Sequence, residues 1–254
     1  MTNNSLPVNK AKPLVEVPQN VPLIGSLGGE QGKEINDAIK KDFAGISALQ
    51  VGNYSEGIVK ASNPFYAVAV QKRLQEGVRV ASQADLEKAL KWGVLDLRGT
   101  YEDTGLVLRT EGEPNSYLAS NLMIQAKARL DKKVKMPVMI PLYGLELAKD
   151  QNSPYGLSFK LGDNAEIISA PILNKGDGNF SSRNINAKIG LPKKLGNGDR
   201  TLYTRQGGLS RLCLYWDLNL VSGDVYLADS YDDGRVVLLS GEATSRENSG
   251  VKRK

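Results

Sequence analysis

Four short segments carry residue types arranged for chemistry, and each stops short of completing it. The run Gly25 to Glu34, GSLGGEQGKE, has the Gly-Lys step of a phosphate-cradling loop. Leu27 stands where the first glycine belongs, and Glu34 occupies the place of the magnesium-binding Ser or Thr, so the chemistry is not assembled. Asn174 to Asn179, NKGDGN, and Asp229 to Gly234, DSYDDG, have the oxygen-rich look of calcium loops. In the second, Tyr231 takes the third ligand position and Ser240 stands in place of the closing Glu, so Asx-stabilised turns explain both better. Glu113-Pro114-Asn115 spells a triplet used by sugar-binding calcium lectins, but the chain supplies neither the W-N-D strand nor the disulfides that accompany it there; a Pro-Asn helix start is the simpler reading.

Composition narrows the chemistry further. The 254 residues include no histidine and one cysteine. That removes His-based triads, most acid/base pairs that work near neutral pH and nearly all zinc and redox-metal sites. Cys213, between two leucines, reads as a small buried hydrophobe, and a single cysteine forms no internal disulfide. No cofactor is expected, and the chain is read as non-enzymatic. Met1 to Asn20 is too polar and proline-rich for a signal peptide, and no apolar run reaches the length of a membrane helix, which leaves localisation open.

The elements that could position a site follow from periodicity. Gln31 to Phe43, with Ile35, Ala38, Ile39 and Phe43 at helical spacing, predicts an amphipathic helix. Ser82 to Trp92 predicts a second, with Ser82 as cap, Asp85 at the capping-box position and Gly93 as terminator. Asn115 to Leu130 predicts a third, with Leu118, Leu122 and Ala126 on one face. Met136 to Tyr143, Tyr155 to Leu161 and Ala165 to Leu173 read as strands divided by turn residues. Val236 to Leu239 reads as a strand buried on both faces near the middle of a sheet.

Arg205 to Ala243 is the most distinctive stretch. Leu212, Leu214, Trp216, Leu218 and Leu220 fall on one parity, which predicts a strand with one buried face, while Cys213, Tyr215, Asp217, Asn219 and Val221 share no chemical character. From Leu212 to Ser240 there is no Lys, Glu, Gln or Met. The decorating types, Tyr, Asp, Asn, Val, Gly, Ser and Ala, are those reached when the adenines of an Asn codon ending in cytosine are randomised; Trp216 would need an Arg-type codon.

With its RQGGLSR turn, LCLYWDLNL strand and DSYDDGRVVLLSGEA ending, this region resembles the C-terminal part of variable proteins diversified by retroelements, most closely the archaeal members. The resemblance covers about the last fifth of the chain. It implies an α+β, C-type lectin-like fold: two or three helices packed on small antiparallel sheets, with long loops. The same fold is shared by formylglycine-generating enzymes, whose catalytic cysteine pair is missing here, so a related scaffold without that activity is implied. On this reading residues 1–28 form an extended arm, 29–244 a lectin-like domain with a variable region at 211–239, and 245–254 a frayed tail.

The expected function is capture of a protein or cell-surface glycan by Tyr215, Trp216, Asp217, Asn219, Val221, Gly223, Asp224, Tyr226 and Tyr231. Two other classes stand beside it. The net charge of +5 and the basic residues Lys127, Arg129, Lys132, Lys133 and Lys135, followed by Lys193, Lys194 and Arg200, suit nucleic-acid binding. Against that, the aromatic-rich region carries mostly Asp, which repels phosphate. A structural subunit, of the tail-fibre kind, also accommodates the proline-rich arm.

Overall fold

A computed structural model describes residues 23–46, 48–130 and 135–240. The chain is an α+β protein built on a seven-stranded sheet whose spatial order is 178–180, 200–203, 220–221, 209–214, 102–108, 138–141, 168–169. Neighbouring strands are antiparallel, except that Leu202 and Tyr203 run parallel to Leu220 and Val221. A second sheet has Val237–Ser240 in the middle, between Leu23–Ser26 and Val78–Val80.

Among the described residues four α-helices pack around the sheets: α1 (Gly29–Asp42), α2 (Pro64–Gln71), α3 (Gln83–Trp92) and α4 (Ser116–Arg129). The count exceeds the two or three expected, because α2 carries no helical periodicity to read. Its residues Pro64 to Val70 are all buried. Instead of an apolar stripe it has Pro64 in the first turn and Asn63 as cap, whose side chain accepts a hydrogen bond from the Tyr66 N–H at 2.8 Å. The Tyr66 hydroxyl donates to Asn36 on α1 at 2.8 Å, so the two helices share a buried polar contact.

The large sheet is packed on both faces. Leu106, Leu108, Val138, Ile140 and Leu209 face a core with α1, α2 and α4, while Val107, Met139, Leu202, Leu212, Leu214 and Leu220 face a second core with Leu86 of α3. Alternate residues of one strand thus enter different cores. This corrects the one-sided strand expected from Leu212 onward: Leu209–Leu214 is buried at every position, including Cys213.

Helix α3 forms as its sequence predicts. Ser82 and Asp85 make a reciprocal capping box, and Gly93 ends the helix in the left-handed conformation at φ 63°. Residues 23–28, expected to belong to an extended arm, join the fold instead: Leu23–Ser26 is a strand against Val237–Ser240, and Gly28 bridges Ile58. Residues 1–22, the 245–254 tail and the close of the domain beyond Ser240 lie outside the described residues.

Candidate functional site

The strand Leu209–Leu214 ends at a tight turn instead of continuing to Leu220. Leu218 N–H donates to the Tyr215 carbonyl at 2.7 Å, Tyr215 N–H donates to the Asn219 carbonyl at 2.8 Å, and the chain returns as Leu220–Val221 beside Leu214 and Cys213. Asp217 closes the turn, accepting from the Asn219 N–H at 3.0 Å and its side-chain amide at 2.6 Å. Leu218 adopts φ 68°, a left-handed conformation that strains a leucine. Once the strand ends at Leu214 its parity no longer governs Trp216, which stands at the tip and is 51% exposed, beside Tyr215 at 38%.

A second loop, from Ser222 to Val236, carries Tyr226 and Tyr231, exposed at 65% and 58%. Tyr101, buried between tip and loop, joins them. Its ring centroid is 6.4 Å from those of both Tyr215 and Tyr231, and Tyr215 lies 6.1 Å from Trp216. The Tyr101 hydroxyl donates to the Ser62 carbonyl at 2.9 Å and accepts from the Tyr231 N–H at 2.9 Å. Burial pushes this phenol well above its usual pKa, so it stays neutral and keeps both bonds. Gly234 makes the approach possible: a Cβ there would lie 2.4 Å from the Ser62 nitrogen and 2.8 Å from the Tyr101 hydroxyl.

The loop is tied down by charge. Buried Arg211 donates to Asp224 at 2.8 Å and to the Asp229 carbonyl at 3.2 Å, with Asp103 at 3.6 Å and the Tyr101 ring beneath its guanidinium at 5.5 Å. Burial opposes the guanidinium's charge, but the carboxylates of Asp103 and Asp224 outweigh it and hold the pKa above the ordinary value. Arg109, also buried, donates to Ser210, Ser222, Asn174 and the Leu173 carbonyl, and its burial without a carboxylate lowers its pKa to about 10. It remains charged at neutral pH and binds the strand, the return chain and the 173–174 segment together.

Of the nine residues the sequence nominates, the structure points five outward: Tyr215, Trp216, Asp217, Tyr226 and Tyr231 are exposed. The others serve the frame. The Asn219 side chain accepts from the Thr201 N–H, Val221 pairs with Tyr203 and Cys213, and a Cβ on Gly223 would meet the Thr204 carbonyl at 2.8 Å. Asp224 is spent on Arg211 and on the Tyr226 N–H. Tyr101, Arg109 and Arg211, which position the face, are not legible in the sequence; nothing local distinguishes them from other residues in or beside the buried strands.

The remaining sequence motifs are absorbed by the scaffold. Asn115 caps α4 from a left-handed conformation, its amide donates to the Leu209 and Val225 carbonyls at 2.9 Å each, and its oxygen accepts from Tyr155 at 2.7 Å. Every polar atom of that side chain is therefore occupied, and the side chain fastens the Leu209–Leu214 strand and the Ser222 to Val236 loop to α4. Among the described residues no group of three or more His, Cys, Asp or Glu is placed to hold a metal ion. Cys213 is buried, and burial pushes its thiol pKa up, away from nucleophilic use. Of the basic residues, Lys127 pairs with Glu111, Arg129 donates to the Leu161 and Gly162 carbonyls, and Arg200 is buried against Glu87. Lys132 and Lys133 lie outside the described residues. No described helix is long and apolar enough to cross a membrane.

No protein-family model, curated protein or solved structure matches this chain.

Proposed function

We propose that the chain is a recognition protein, a retroelement-diversified variable protein on a C-type lectin-like scaffold, whose turn at Tyr215 to Asp217 and loop at Tyr226 to Tyr231 capture a protein or a surface glycan. The observation that carries this reading is the exposure of four large aromatic side chains on two loops held by a buried hydrogen-bond and ion-pair network. An aromatic side chain offers about 150–250 Å² when covered, so four at roughly half exposure present on the order of 400 Å². Apolar patches of about 300–600 Å² are the largest that monomers usually expose, and they are often functional. Tyr and Trp give contact area at low entropic cost, and Asp217 at the tip adds polar selectivity.

Binding by surface complementarity needs no catalytic group, and the reading is of a non-enzyme. The mixed α+β architecture and the mostly antiparallel central sheet support a scaffold of the lectin-like kind. Asp217, Asp229, Asp232 and Asp233 lie on the aromatic loops and disfavour a phosphate backbone as the ligand. The test is a combined variant, Tyr215→Ala, Trp216→Ala, Tyr226→Ala and Tyr231→Ala, compared with the parent for thermal midpoint and for retention on glycan arrays and immobilised host-surface proteins. Loss of every retained ligand with an unchanged midpoint is the expected result; retention by the variant would overturn the proposal.

A further inference from the structure

Next to the turn, α3 and residues 182–187 enclose a groove of about 520 Å³, which Asp217 and Leu218 also line. That volume falls in the range of small-molecule sites, about 300–1,000 Å³. At its buried end Arg200 grips Glu87 through two parallel bonds of 2.7 and 2.8 Å, and its Nε donates to the Leu218 carbonyl. The groove is therefore built on a fixed base that also holds the turn.

The charges around it are unequally committed. All three lining carboxylates have protein partners: Glu87 has Arg200, Asp199 accepts from the Ser182 N–H at 2.8 Å, and Asp217 accepts from Asn219. Four lining cations, Lys88, Lys91, Arg98 and Arg183, make no side-chain ion pair or hydrogen bond among the described residues. Lys88 and Lys91 are three residues apart and so share a face of α3, while Arg183 approaches from the other wall. Leu90, Ile185 and Leu218, all half-buried, supply apolar surface between them.

We propose that this groove binds a small organic phosphate, a phosphate monoester carried on an apolar body. A doubly charged phosphate answers several unpaired cations where a single carboxylate would not, and guanidinium forks engage its oxygens two at a time. The apolar body covers Leu90, Ile185 and Leu218. The groove shares Asp217 with the aromatic face, but its ligand does not depend on macromolecule capture there.

Calorimetric titration of the full chain at low ionic strength tests this with three probes: phenyl phosphate, inorganic phosphate and phenol. Phenyl phosphate is expected to bind tightest, inorganic phosphate more weakly and phenol not at all. The double variant Lys88→Gln, Arg183→Gln is expected to weaken phenyl phosphate by about tenfold or more, corresponding to at least about 1.4 kcal/mol. Because both side chains are unpaired, the variant should keep the parent's thermal midpoint. Lys193→Gln, Lys194→Gln, whose lysines do not line the groove, and Tyr226→Ala should leave binding unchanged. Absence of phenyl phosphate binding at millimolar concentration would overturn the assignment. So would affinity that survives the Lys88 and Arg183 changes, falls equally with those at Lys193 and Lys194, or is matched by phenol.

Discussion

Replacing Glu102 by glutamine should remove most of a pH dependence that this single side chain imposes on stability. Glu102 is buried where the Glu102–Leu108 strand begins, its Oε1 accepts from the Thr100 hydroxyl at 2.6 Å, and its Oε2 has no partner among the described residues. Burial raises its pKa from an ordinary 4.5 to about 8, against the Thr100 hydrogen bond and with a smaller push from neighbouring Asp103. Between those two values the unfolded chain has released the proton and the folded chain retains it. The folded state then binds more protons, so stability is complete below 4.5 and declines as pH rises through about 8. At about 1.36 kcal/mol per unit the whole shift amounts to about 5 kcal/mol, an upper bound because local opening can hydrate the carboxylate. Glutamine keeps the shape of the protonated acid and does not titrate. Urea unfolding of both proteins from about pH 5 to about pH 9 should therefore show the variant gaining several kcal/mol on the parent as pH rises. Asp103, also raised by burial, is present in both and largely cancels in the difference. Parallel stability curves would refute the reasoning.

Other perturbations follow from the same network. Arg211→Met leaves the buried Asp103 carboxylate without its counter-charge and frees Asp224, and should cost about 3–5 kcal/mol in urea unfolding while exposing the Ser222 to Val236 loop to protease. Gly208→Ala faces both a φ of 66° and a Cβ placed 2.3 Å from the Pro114 nitrogen, so it should destabilise by more than about 1 kcal/mol, read as a fall in thermal midpoint. Millimolar calcium should leave the midpoint unchanged, since every polar atom of Asn115 is occupied by protein; a rise of several degrees would reveal a site.

The helices that could be read from sequence were those with an exposed side. The stripes of α1 and α4 and the capping residues of α3 are local signals, because one face meets water and alternation records which. Helix α2 and the Glu102–Leu108 strand are buried all round, so their sequences carry no alternation from which to read them. The turn at Tyr215 is hidden for a different reason: the leucines at 212, 214, 218 and 220 keep one parity across it, and only the Asp217–Asn219 bond within the turn and the tertiary bond from Arg200 to the Leu218 carbonyl show that the strand has ended. The outward tyrosines could be nominated from their unusual types, but the frame could not. Tyr101, Arg109 and Arg211 act through partners distant in sequence, such as Ser62 and Ser222, and no local spacing records those contacts.

The most direct test of the account is to read the DNA that flanks the coding sequence. The account predicts a near-identical copy of the Leu212 to Ser240 coding region beside a reverse transcriptase, with adenine-bearing Asn codons at Tyr215, Asp217, Tyr226 and Tyr231, an Arg-type codon at Trp216, and unaltered codons at the buried Leu212, Leu214 and Leu220. An intact locus with neither the copy nor the reverse transcriptase, or a copy whose adenines fall on the buried leucines, would contradict it.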